Sequence, residues 1–109
     1  MLAEAAASAA LERDGWVVLA RRLRTEAGEV DLLAQRGGVL AVVEVKARPT
    51  LADAAAAVTP RQRTRLLAAA EIILAEHPDW GMSGVRFDVV VVDAAGRVRR
   101  IADAFRLGD

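Results

Sequence analysis

A mixed α/β sheet with a helix on each side is the fold class this sequence predicts, on three observations. Residues 28 to 46, GEVDLLAQRGGVLAVVEVK, read as two strands joined by a tight turn at Gly37-Gly38. A helix opened by Thr59-Pro60 separates the third strand from the fourth, and so long a connection implies a right-handed parallel crossover. Residues 85 to 92, VRFDVVVV, are nearly all apolar, as an internal strand requires. The predicted order is helix, three strands, helix, two strands, in one domain spanning residues 1 to 109.

Residues 3 to 14, AEAAASAALERD, form the first helix, because alanine is the best helix former and Asp14-Gly15 is a stop signal. Glu4 lies in its first turn, where a carboxylate complements the helix dipole or serves a site. Residues 16 to 22, WVVLARR, form the first strand, with Trp16 in the core, and residues 24 to 27 turn the chain into the central hairpin. After Lys46, ARPTLADAAAAV has no clear apolar stripe and reads as a mobile connection with one helical turn at most. Thr59 caps the second helix and Pro60 takes its first position. That helix runs to about His77 with Leu66, Leu67, Ala70, Ile73 and Leu74 as its apolar stripe. Arg61 and Arg65, four apart, share a face of it. His77 reads as a surface residue at the helix C-terminus, and Trp80 as an aromatic plug over the core. A turn at Ala95-Gly96 leads into a fifth strand, RVRRIADAF, whose Arg97, Arg99 and Arg100 protect an exposed edge.

The chemistry concentrates in the hairpin. Side chains alternate faces along a strand, so Glu29 and Asp31 are expected on one face, and Glu44 and Lys46 likewise. A turn at Gly37-Gly38 places Asp31 opposite Glu44, whereas a turn at Arg36-Gly37 places Glu29 there instead. In both registers two carboxylates meet across the hairpin, which destabilises a sheet unless something compensates them. A divalent cation is the simplest compensation. Mg²⁺ takes one or two carboxylates together with waters and phosphate, so Asp31 and Glu44 could supply ligands and the Val45 carbonyl a further one. Lys46 could orient or deprotonate a water and stabilise charge on a phosphate.

Composition bounds the rest. Hydrophobic residues make up 54% and charged residues 28%, so the chain is globular and not disordered. No apolar run is long enough to span a membrane, and the N-terminus resembles neither a signal nor a transit peptide. With no cysteines there are no disulfides and no zinc–thiolate sites, which fits a reducing cytoplasm. Fifteen basic residues balance fifteen acidic ones, so any nucleic-acid contact must rest on a local basic patch. Lys46 is the only lysine, and it sits in the EVK triplet.

GEVDLLAQ and VVEVKAR together resemble the PD-(D/E)XK core of restriction-endonuclease-like nucleases. Nearly the full chain resembles the small bacterial YraN-like family, related to Holliday-junction resolvases. The shared blocks are Glu4 with Leu11 and Gly15-Trp16, then LARRLR, GEVDLL, VVEVKAR, AVTPRQRTRL, VRFDVVVV and the closing DAF at 103 to 105. The resemblance implies an αβββαβ restriction-endonuclease-like core. It also implies Asp31, Glu44 and Lys46 as metal and catalytic positions, with Glu29 and Glu4 as supporting acids. The expected activity is Mg²⁺- or Mn²⁺-dependent cleavage of DNA, branched or damaged structures among the substrates, with a homodimer as an open expectation. Arg48, Arg61, Gln62 and Arg65 are the expected nucleic-acid contacts; Gln62-Arg63 stands where the family usually carries a lysine followed by glutamine. Two other readings remain at this level: a nucleic-acid-binding module of nuclease fold without catalysis, and a structural or interaction protein whose hairpin charges are an ion-pair network.

Overall fold

The computed structural model describes residues 2 to 52 and 58 to 105, with the side chains of residue 2 and of 103 to 105 excepted. The elements are α1 (Leu2–Arg13), β1 (Val17–Thr25), β2 (Gly28–Arg36), β3 (Val39–Ala47), α2 (Pro60–Glu76), β4 (Gly84–Val92) and β5 (Val98–Phe105). The five strands form one sheet in the order β1-β2-β3-β4-β5. The β3–β4 pair is parallel and the other three are antiparallel. This is the predicted α/β class and the predicted order, consistent with a restriction-endonuclease-like core.

Helix α1 packs on one face of the sheet. Its buried residues Ala3, Ala7 and Leu11 recur every four positions, and such small side chains let the helix lie close against Leu32, Ala34, Val43 and Val90. Its end is a Schellman motif: Gly15 N–H donates to Glu12 O (3.0 Å), and Trp16 N–H to Leu11 O (3.0 Å). Gly15 at φ +84° supplies the left-handed residue this needs. Trp16 and Leu11 then pack in the same cluster, the hydrophobic contact that accompanies the motif.

Helix α2 covers the other face with Leu66, Ala69, Ala70 and Ile73 against Leu33, Leu40, Val42 and Phe87. Thr59 and Gln62 form a capping box, with Gln62 N–H donating to Thr59 Oγ1 and Thr59 N–H to Gln62 Oε1. Trp80 packs partly buried on this cluster and stacks on His77 at 3.8 Å.

Two details differ from the expectation. Strand β1 runs to Thr25, three residues further than predicted, pairing Thr25 with Gly28 so that only Glu26 and Ala27 turn. Charged residues hid this extension: β1 is an edge strand, so its arginines can point to water. Arg100 does not guard the sheet edge but turns inward to Asp88. The predicted connection after Lys46 falls partly on residues 53 to 57, outside the described residues.

Candidate active site

The turn lies at Gly37-Gly38, both with positive φ, and Arg36 pairs with Val39. The ladder between β2 and β3 runs from that turn to Leu32↔Val43 and stops. The next pair in that register is Asp31 and Glu44, and here the strands part. The Val45 N–H donates to the Asp31 side chain (Oδ2, 2.8 Å), so a carboxylate stands in for the backbone acceptor at the fork.

The alternation of β2 is also reset here. Leu32 and Ala34 pack on the α1 side, Leu33 on the α2 side, and Val30 joins Leu33 instead of Leu32. Across the sheet Arg22 of β1, flanked by the pairs Arg21↔Leu32 and Leu23↔Val30, has φ +50°. It is the only positive-φ residue among the described residues that is not a glycine, and strain of this kind collects at functional sites. Glu29 and Asp31 therefore do not share a face as simple alternation required. The Glu29 carboxylate lies 3.7 Å from Arg24 Nε, and only its carbonyl reaches into the fork.

Glu44 is buried, its side chain 6% exposed, and one oxygen serves two cations: Lys46 Nζ at 3.2 Å and Arg65 NH2 at 3.1 Å from Oε2. Asp31 is half-buried. Its carboxyl is pushed up to about 6, by burial first, then by the neighbouring Glu44 carboxylate; the Val45 N–H and Lys46 pull the other way.

Asp31 and Glu44 offer hard oxygen donors, the kind Mg²⁺ selects. Among the described residues no group of three or more His, Cys, Asp or Glu side chains gathers to hold a metal. An ion here would thus keep waters or phosphate oxygens in its remaining positions, which suits Mg²⁺ and not a structural zinc. The donor set fits that group.

The other predicted residues are dispersed. Glu4 accepts from Arg22 Nε (2.8 Å) and so meets the fork only through Arg22, whose pKa rises on that bond and on the charges of Glu4, Glu29 and Asp31. Arg48 NH1 donates to the neighbouring Ala47 carbonyl. Gln62 is engaged in the α2 cap. Arg61 is exposed, while Arg65, expected on the same face, reaches in to Glu29 O and Glu44. A cleft of about 280 Å³ lined by Arg24, Thr25, Gly28 and Glu29 opens beside the fork. A larger, mostly apolar hollow of about 510 Å³ next to Asp93 contains none of these acids.

Sequence reasoning missed a second buried acid. Asp88, fully buried, accepts from Arg86 NH2 (3.0 Å), Arg100 Nε (3.0 Å) and Arg100 NH2 (2.8 Å). The guanidiniums of Arg36, Arg86 and Arg100 all lie within 5 Å of the Trp16 ring centre, at 4.8, 4.7 and 4.9 Å. The available signal was a lone aspartate inside an apolar internal strand with an arginine two residues before it, on the same face.

The sequence profile of the uncharacterised protein family UPF0102 matches residues 3–92. A UPF0102 protein of Granulibacter bethesdensis is 64% identical over 107 residues, covering 98% of this chain and 68% of that protein. One from Rhodopseudomonas palustris is 50% identical over 103 residues, 94% of this chain and 79% of the relative. One from Azorhizobium caulinodans is 45% identical over 107 residues, 98% and 82%. On this match along almost its whole described length, the chain belongs to the UPF0102 family, the YraN-like proteins its motif blocks resemble.

Proposed function

We propose that this protein is a Mg²⁺-dependent phosphodiester hydrolase acting on DNA. The observation that carries the reading is the acid pair at the fork: Asp31 and Glu44 are the next pair in register where the β2–β3 ladder ends, with Lys46 3.2 Å from Glu44 and the charge of Glu44 helping to raise the Asp31 carboxyl. The likeness of GEVDLL and VVEVKAR to the PD-(D/E)XK core supports the reaction type. A bound Mg²⁺ supplies charge stabilisation on the phosphate and a more acidic water. Asp31 and Glu44 would hold it. Lys46, 14% exposed, stays close to the acids and keeps a proton or a positive charge at the phosphate oxygen. Arg61, on the exposed face of α2, and Arg24, beside the cleft, offer charge to the nucleic-acid backbone.

One observation favours a different reading. Lys46 and Arg65 already neutralise Glu44, so the fork can also be an ion-pair network in a non-catalytic module. Cleavage of branched, single-stranded and duplex DNA with Mg²⁺ or Mn²⁺, against Lys46→Ala and Asp31→Asn, decides. The nuclease reading expects a metal-dependent product that both substitutions abolish. Equal cleavage by all three proteins, or none by the wild type, removes it.

A further inference from the structure

We propose that Arg65 is the positioning residue of the fork, holding Glu44 in place, and not a contact for nucleic-acid phosphate. The proposal takes from the nuclease reading only that Glu44 is a working carboxylate. Its guanidinium spans two strands at the point where they separate: NH1 donates to the Glu29 carbonyl of β2 at 2.7 Å, and NH2 to Glu44 Oε2 of β3 at 3.1 Å. A planar fork of donors can make both bonds at once, and a lysine ammonium on a flexible stem cannot reproduce that geometry.

A second, independent observation is Gly28. A Cβ there would lie 2.9 Å from Arg65 Cδ, 3.0 Å from Cγ and 3.2 Å from NH1, and the backbone sits at φ +137°. The glycine thus leaves the groove in which the arginine stem lies, and the GEVD segment and α2 are fitted to each other. Because Arg65 and Lys46 share Oε2, the arginine fixes the carboxylate's rotation and leaves Oε1 to face another group. With both terminal nitrogens used and the side chain 33% exposed, Arg65 is poorly placed to neutralise a backbone phosphate. The exposed Arg61, one turn earlier, is free of that constraint.

The test reads the fork without requiring activity. Hydrogen exchange of the Val45 amide, which donates to Asp31, is followed by NMR in the wild type, Arg65→Ala, Arg65→Lys, Gly28→Ala and Arg61→Ala. Circular dichroism confirms that each variant is folded. A positioning role predicts exchange about tenfold faster in Arg65→Ala and Gly28→Ala, no rescue by Arg65→Lys, and no change in Arg61→Ala. Mn²⁺ affinity should fall in the same three variants, and any DNA cleavage by Arg65→Ala should lose kcat with little change in KM. Faster exchange in a protein whose wild type takes no Mn²⁺ upholds Arg65 while removing the metal-dependent reading. Unchanged Val45 exchange in Arg65→Ala overturns the proposal. So does Arg65→Ala retaining kcat and Mn²⁺ affinity while flattening the salt dependence of DNA binding by about one phosphate, a slope of roughly 0.9.

Discussion

Glu44 and Asp88 are both buried carboxylates, each held by two basic side chains, on opposite faces of one sheet. They differ in what else is present. Around Asp88 basic groups outnumber acid: two arginines meet one carboxylate, and the indole of Trp16 lies against both guanidiniums. At the fork a second carboxyl, Asp31, adds to an acid that is already paired, and its own titration moves up to about 6. The first arrangement is what a protein needs to bury an aspartate. The second sets two carboxyls side by side, and burial together with the charge of Glu44 opposes the ionisation of Asp31. A carboxyl raised beside a second one is a reason to look for a ligand, since perturbed titration clusters at functional sites.

The sharpest way to break this comparison is to remove each acid in turn. Asp88→Ala leaves two arginines facing one another in a buried site and should cost about 3–5 kcal/mol. Urea unfolding checks this, and a cost below about 1 kcal/mol would remove the structural assignment of that network. Glu44→Gln should cost less, about 1–2 kcal/mol, because Lys46 and Arg65 can turn to water and the amide keeps one acceptor.

Asp31→Asn has the opposite sign. The folded-state pKa of Asp31 lies above its unfolded value, so its contribution is favourable while the carboxyl is protonated and is lost as the pH rises through about 6. Above that pH the wild type carries the strain and the asparagine variant does not. The variant should be more stable by about 1 kcal/mol at pH 7.5, Asp31 being only half-buried, with the gap vanishing near pH 4. Denaturation at both pH values measures it; a variant less stable at pH 7.5 contradicts the repulsion. The smallest effect concerns the surface. Arg61→Ala should lower the salt slope of DNA binding by about 0.9, and Arg99→Ala, on the exposed edge, should leave it unchanged.

The two regions also differ in how far the sequence disclosed them. Fold class, element order and the Gly37-Gly38 register follow from period-two and period-four patterns and from turn chemistry, which are local. The acid pair was legible because a hairpin makes its partners computable: once the turn is placed, residue numbers fix who faces whom. The Asp88 cluster was not, because Trp16, Arg36, Arg86 and Arg100 come from four separate segments brought together only by packing. The inward reach of Arg65 was hidden for a related reason. Helical spacing groups it with Arg61, but it cannot show that Gly28, on a strand, leaves room for one arginine to lean inward. The reset of alternation at Asp31 was hidden as well: it coincides with the positive φ of Arg22 across the sheet, which no residue pattern within β2 discloses.

The claim that the fork holds a cation is tested most directly by titrating Mn²⁺ into the wild type and Asp31→Asn by calorimetry at pH 7.5 and at pH 5. The account predicts one ion per wild-type chain at pH 7.5, and weaker binding at pH 5, where protonation of the Asp31 carboxyl competes with the ion. It predicts no binding to Asp31→Asn at either pH. Equal Mn²⁺ binding by wild type and Asp31→Asn, or none by the wild type at millimolar concentration, would contradict it and leave Asp31, Glu44, Lys46 and Arg65 as an ion-pair network.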